Sequence, residues 1–387
     1  MTSEKKHLYK APSDGTRRVL RLLSRPVKKA REKPGIIIRA YRGFGSRNEV
    51  CIFGRVFRQP GIPRRLEALG ALGDLANVWR RMWSRGVRRA VVEVRFGDLR
   101  KKSRTDRFGF FLIRFHLPGL PDPERVWYRA TVELERSVGS GARATADVFI
   151  APRTAEFVVV SDIDDTVVHT GVANKVKMLW RLFFTAAKSR TAFPGVGAFY
   201  RALHRGPSGD QRNPMLYVSR GPWSIYEVLD EFFHLNDIPE GPLLFLRYWG
   251  ITLDHPLPRR AKDHKLGLIR QMLAIYKDLP FILIGDSGQK DPEIYARIVR
   301  EHPGRILAIY IRNVSRVPER RRFIDQLARE TARADSELVL ADDSRIMAKH
   351  AARKGFIAAK GVAEVMSAIS ARESGEAYTA GFSSTAG

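Results

Sequence analysis

The chain has one cysteine, Cys51, among 387 residues. A single thiol excludes an internal disulfide and favours a reducing compartment. Cys51 also has no motif partner that would make it a nucleophile, so in "EVCIFGRV" it reads as a small buried apolar residue. No apolar run approaches the ~18 residues of a membrane span. The first 35 residues are basic but lack the apolar stretch of a secretory signal. The expected location is therefore cytoplasmic, with the inner membrane face as a peripheral site.

Acidic residues are scarce. Against 41 Asp and Glu stand 68 Lys and Arg, a net charge of +27. Residues 1–60 hold 16 Lys and Arg against Glu4, Asp14, Glu32 and Glu49, an excess of +12. Such a balance fits an anionic partner, either an acidic membrane surface or a nucleic acid, and a plain solvated basic surface is the competing reading. No nucleic-acid-binding fingerprint with interleaved aromatics accompanies it, which disfavours nucleic acid.

What is present is enough to build a core: 44% of residues are apolar and 10% aromatic. The length suggests two domains. Residues 1–34 read as a flexible basic tail with a short helix around Arg17–Lys33, interrupted at Pro26. Over 35–152, apolar and β-branched runs such as "GIIIRAY", "EVCIFGRVF", "AVVEVRFG", "FGFFLIRFHL", "VWYRATVEL" and "ATADVFIA" are split by turn residues. They predict an antiparallel sandwich or barrel, with a helical insert near "RRLEALGALGDLANVWRRMW". Over 153–370 the rhythm changes. "FVVVS", "MLYVS", "LLFLRYW", "FILIGD", "RILAIYI" and "ELVLA" are continuous apolar runs alternating with helix-length segments. Continuous apolarity predicts strands covered on both faces, hence a mostly parallel α/β sheet. Residues 371–387 are small and polar and read as a disordered tail.

The chemistry concentrates at the predicted strand ends. In "FVVVSDIDDTVVHTG", Asp162, Asp164 and Asp165 follow a buried strand, which places them at the rim where doubly wound sheets bind ligands. Asp162 and Asp164 share a face if the strand persists. Two carboxylates so close repel unless a cation sits between them, and Mg²⁺ suits a site that also receives a phosphate. "MLYVSRGPW" ends a second strand with Ser219, "FILIGDSGQKD" ends a third with Asp286 and then Asp291, and "AKDHKLGLI" starts a helix with Lys265. A metal, a hydroxyl and an ammonium are what phosphoryl transfer requires, since it depends on charge neutralisation and alignment. Asp342 and Asp343 in "LADDSR" read as helix caps.

These four stretches are similar to the four motifs of the haloacid dehalogenase-like phosphohydrolases. More narrowly, "VSDIDDTVVHTG", "YVSRGPWSIYEVL", "DHKLGLI" and "LIGDSGQKDPEIYARI" resemble the catalytic domain of the APP1 family of Mg²⁺-dependent phosphatidate phosphatases, over about residues 155–365. The resemblance implies a mostly parallel Rossmann-like sheet with a small cap after the first motif. It implies Asp162 as nucleophile and Asp164 as general acid and base. Asp286 would complete the Mg²⁺ site with Asp162 and the carbonyl of Asp164. Ser219 and Lys265 would hold the phosphoryl group, with Thr166 beside it bracing the loop, and Asp291 would orient the metal shell or Lys265. The family's second motif often reads Ser-x-Ser-Pro-Trp; Gly221 here removes an auxiliary hydroxyl.

The expected substrate is thus an anionic phospholipid. The alternatives are the same chemistry on a soluble or nucleic-acid phosphomonoester, and a non-catalytic adaptor that senses phosphate. Residues 173–190 form a basic amphipathic segment in which Val176, Leu179, Trp180, Phe183 and Ala187 share a face with Val172. That segment suits either a cap packed on the core or one that dips into a lipid interface. The sequence leaves oligomeric state open.

Overall fold

A computed structural model describes residues 35–59, 85–119, 125–135, 141–163, 194–219, 223, 226–245 and 261–373. The basic tail, the helical insert, the 173–190 segment, most of the polar tail, and Asp164, Asp165, Thr166 and Gly221 lie outside the described residues.

The first sheet contains β1 (Gly35–Ala40), β2 (Gly43–Gly45), β3 (Glu49–Gln59), β4 (Arg85–Gly86), β5 (Val91–Phe96), β6 (Leu99–Arg104), β7 (Phe110–His116), β8 (Trp127–Leu134) and β9 (Arg143–Ile150). Its order is β1-β3-β2-β9-β8-β5-β6, with β4 and β7 also paired to β3. Every pairing is antiparallel except that of β2 with β9. Alternating burial along β5, β7 and β8 is the period-two pattern expected of a sheet with one packed face. The strand β6, "LRKKSR", has no apolar pattern of its own. It forms because Gly97, at φ 55, turns the chain tightly back onto β5, where Leu99 pairs with Phe96.

The second sheet contains β10 (Val158–Asp162), β11 (Met215–Ser219), β12 (Leu243–Phe245), β13 (Phe281–Asp286), β14 (Ile306–Arg312) and β15 (Glu337–Ala341). Its order is β12-β11-β10-β13-β14-β15, and all pairs are parallel. These strands lie in the six apolar runs the sequence singles out, and β11, β12 and β13 are buried along their whole length. Seven described helices accompany them: α1 (Val196–Arg205), α2 (Tyr226–Leu235), α3 (Ala261–Ile275), α4 (Asp291–Glu301), α5 (Pro318–Ala332), α6 (Ser344–Arg353) and α7 (Ala359–Glu373). Helices α1, α6 and α7 pack on one another, as do α3, α4 and α5 in turn, the two-sided cover a parallel sheet needs. Helix α7 continues to Glu373, past the point where the polar tail was expected to start.

The hydrophobic core is partly shared. Tyr41, Phe44, Cys51 and Phe53 of the antiparallel sheet join the cluster built around β10–β15, while a second cluster fills the interior of β1–β9. Cys51 is buried and free, and burial pushes its thiol up to about 12, as suits an inert packing residue.

Candidate metal and phosphate centre

In the parallel sheet the chain runs outward from β10 to β11 and β12, then returns to the other side of β10 to lay down β13, β14 and β15. The strand order therefore reverses between β10 and β13. At such a point the connections leave in opposite directions and open a crevice beyond the carboxyl ends. Asp162 ends β10 and Asp286 ends β13, so both stand at that crevice.

Lys265 of α3 and Asp291, the first residue of α4, complete the group. Lys265 Nζ lies 3.1 Å from Asp162 Oδ1 and donates to Asp291 Oδ1 at 2.5 Å, all three side chains being at most 1% exposed. The ammonium also sits 5.4 Å from the centre of the Tyr295 ring. Asp162, Asp286 and Asp291 each bring a carboxylate oxygen within 4.8 Å of the others. Three carboxylates against one ammonium leave a formal −2 among these four residues. Burial pushes the Asp291 carboxyl well above the usual carboxylate range, Lys265 pulls it down, and the charges of Asp162 and Asp286 push it further up. Close approach of Asp291 depends on Gly285, where an added Cβ would meet Asp291 Oδ2 at 2.3 Å.

The loop after β13 folds on its own aspartate. Asp286 Oδ1 accepts the backbone N–H of Gly288 at 2.7 Å and of Gln289 at 3.0 Å. The Gln289 side-chain amide then donates to Asp162 Oδ2 at 3.0 Å and Asp286 Oδ2 at 3.2 Å. It thus bridges two carboxylates that would otherwise repel. Gln289 was not among the expected site residues; its place inside "GDSGQKD", between Asp286 and Asp291, was the available signal. Arg320 of α5 holds the loop from outside. It donates to the carbonyls of Ser287, at 2.8 Å, and Gln289, and pairs with Glu293. Nothing local marks Arg320, 34 positions after Asp286, and only folding brings it there.

The donor set can be tested against the implied cation. It is all oxygen, carries excess negative charge, and is buried. Asp162 Oδ1 and Gln289 Oε1 are buried with no hydrogen-bond partner among the described residues, the former contacted only by the Lys265 charge. These features fit a hard divalent ion such as Mg²⁺, which takes carboxylate and carbonyl oxygens.

Ser219 ends β11 and is buried. Asp162 pairs in register with Val218, so Ser219 stands at the same rim, one strand over. Asp162, Lys265, Asp286 and Asp291 are thus brought together with Ser219 beside them, while Asp164 and Thr166 lie outside the described residues. Of the other acidic pair, Asp343 caps α6, accepting from the backbone of Arg345 and Ile346. Asp342 instead accepts from Asn313.

Comparison with known proteins singles out the same region. Residues 157–313 match the family model described as "Phosphatidate phosphatase APP1, catalytic domain". Phosphatidate phosphatase APP1 of Saccharomyces cerevisiae is 30% identical over 210 residues, which are 54% of this chain and 34% of the yeast protein. An uncharacterized protein of Schizosaccharomyces pombe is 30% identical over 159 residues, 40% of this chain and 25% of the other. The alignments thus span about a third and a quarter of these relatives' length. Among solved structures, a carbohydrate acetylesterase from Xanthomonas citri is 10% identical with a TM-score of 0.28, over 85% of this chain and 72% of that one.

Proposed function

Residues 157–313 are an APP1-family catalytic domain, and from that premise we propose that the protein is a Mg²⁺-dependent phosphatidate phosphatase. It converts phosphatidate and water to diacylglycerol and phosphate. The observation that carries this reading is the convergence of Asp162, Asp286, Asp291 and Lys265 in one buried centre at the sheet's switch point. The proposed fold is haloacid dehalogenase-like, with 153–370 as the catalytic domain and 35–152 as an accessory β-rich domain.

In this reading Asp162 attacks phosphorus through a carboxylate oxygen, and the bond from phosphorus to the glycerol oxygen breaks. Asp164 gives its proton to that departing alkoxide, releasing diacylglycerol. Asp164 then takes a proton from water, whose oxygen attacks phosphorus of the aspartyl-phosphate; phosphate leaves and Asp162 is restored. Lys265 and Ser219 hold the phosphoryl oxygens. Asp291 keeps Lys265 in place through the 2.5 Å bond, and Gln289 fixes the carboxylates of Asp162 and Asp286. Asp162, Asp286 and the backbone carbonyl of Asp164 would hold Mg²⁺, which would supply neutralisation of the charge that the carboxylates and a phosphate bring together.

Phosphate release is to be measured from phosphatidate, a soluble phosphate ester and a 5′-phosphorylated oligonucleotide, with Mg²⁺ or EDTA. The expected result is Mg²⁺-dependent release, fastest from phosphatidate, that Asp162→Asn lowers by at least about 10³-fold, as loss of a covalent nucleophile does. Equal rates in the two proteins would remove Asp162 from its role. Preference for the oligonucleotide would move the substrate to the soluble class.

A further inference from the structure

Large exposed apolar side chains are few on the described surface: Leu235, Val314, Val317, Phe323, Ile346 and Met366. Three of the six fall within ten residues, in "NVSRVPERRRF" (313–323), which leaves the carboxyl end of β14 and enters α5. Val314, Val317 and Phe323 are 37%, 54% and 41% exposed. Ile346, in the first turn of α6, stands on the neighbouring stretch of rim, where Asn313 hydrogen-bonds Asp342. Single exposed apolar residues are ordinary; a group of them beside a candidate site is not.

Cations are interleaved with these side chains. Arg316, Arg321 and Arg322 are exposed and make no ion pair with any described residue. Arg320 is spent on the catalytic loop and Glu293. The segment is fastened directly to the centre. Ser287 Oγ accepts the backbone N–H of Val314 at 2.9 Å and of Ser315 at 3.0 Å. A Cβ added at Gly288 would lie 3.1 Å from both Val314 Cγ2 and Asp286 Oδ1. Phe323 packs against Arg320, whose guanidinium carbon is 5.7 Å from the ring centre. The apolar and cationic side chains therefore project from a strap one residue layer away from the metal-binding loop.

We propose that the strap 313–323 is the edge by which this protein rests on an anionic bilayer. The inference rests on the phosphatidate reading above, and deepens it by naming how the site meets a lipid that does not leave its leaflet. Exposed arginines are drawn to the negative surface potential, and valine and phenylalanine gain by entering the boundary between headgroups and acyl chains. A nucleic-acid backbone would engage the arginines but offer nothing to Val314 or Val317, which is why the bilayer is favoured. Because Ser287 and Arg320 tie the strap to the Asp286 loop, docking there sets the acidic centre close to the headgroup layer.

The test uses the full-length protein with phosphatidylcholine vesicles, with and without phosphatidate, and reads cosedimentation separately from turnover. One variant carries Arg316→Ser, Arg321→Ser and Arg322→Ser; the other carries Val317→Ser. The wild type is expected to sediment with phosphatidate-containing vesicles and to be released by salt. The triple arginine variant should bind on the order of a hundredfold more weakly, at roughly fivefold per cation. The valine variant should lose binding that salt does not remove. Both should hydrolyse a soluble phosphate ester within about twofold of wild type, since neither set touches the catalytic group. Variants that sediment like wild type, or a wild type that prefers duplex DNA to the vesicles, would overturn the proposal. Failure of the phosphatidate phosphatase reading looks different: no phosphate is released from phosphatidate although the wild type still sediments.

Discussion

Lys265 is the residue on which the balance of the centre turns. Its ammonium lies between Asp162 and Asp291, and all three side chains are withdrawn from water. Removing one member of a buried ionic group leaves the others uncompensated, which typically costs about 3–5 kcal/mol. Lys265→Met keeps the length of the side chain and removes the charge. It is expected to destabilise the protein by about that amount in urea titrations and to abolish phosphate release. Arg at the same position would restore charge but not activity, because a planar guanidinium cannot replace a compact ammonium against both carboxylates. Unchanged stability in Lys265→Met would show that the buried charges are balanced by something else. Gln289 acts on the same scale, since its amide bridges Asp162 and Asp286.

Among the elements, the antiparallel sheet grips two segments beside the candidate centre. Trp223 follows Ser219 by four residues and is buried against Tyr41, Phe53, Phe110 and Phe245, with ring centres at 4.3, 5.8, 5.4 and 4.8 Å. Helix α2, next in the chain, is tied to β1 and the turn after it by Arg39–Glu227 at 2.8 Å, by Arg42 with Asp230, and by the Arg42 N–H to the Tyr226 hydroxyl at 3.2 Å. Burial pushes the Tyr41 phenol up to about 12, consistent with a dry seam. Just past the end of α3, which carries Lys265, Tyr276 stacks on Phe44 of β2 at 6.3 Å. Trp223→Ala should cost about 3–5 kcal/mol through the cavity it leaves and should raise KM for phosphate esters, because Trp223 fixes the chain four residues past Ser219. Trp223→Phe is expected to recover most of both. A KM unmoved by the alanine change would detach the seam from phosphate binding.

At the scale of the whole molecule, the two sheets share one hydrophobic cluster, so neither buries its aromatic face alone. Calorimetry is expected to show a single unfolding transition, and Mg²⁺ should move it upward as one. At a concentration a hundredfold above the dissociation constant the gain is about 2.7 kcal/mol, a rise of several degrees that EDTA reverses and Asp286→Asn abolishes. Two separated transitions, with only one responding to Mg²⁺, would show that the sheets unfold independently.

The sequence by itself determined the parallel sheet, because strands covered on both faces must be continuously apolar, and six such runs became β10–β15. It also determined that Asp162, Ser219 and Asp286 stand at strand ends, since each directly follows or closes such a run. It could not reveal β6, whose charged residues follow no period and are held by pairing to β5. Nor could it place Arg320, Trp223 or the strap at 313–323 around the centre. Those positions follow from chain segments far apart in sequence meeting at one rim, where the sheet's order of strands, and no local preference, decides which side chains become neighbours.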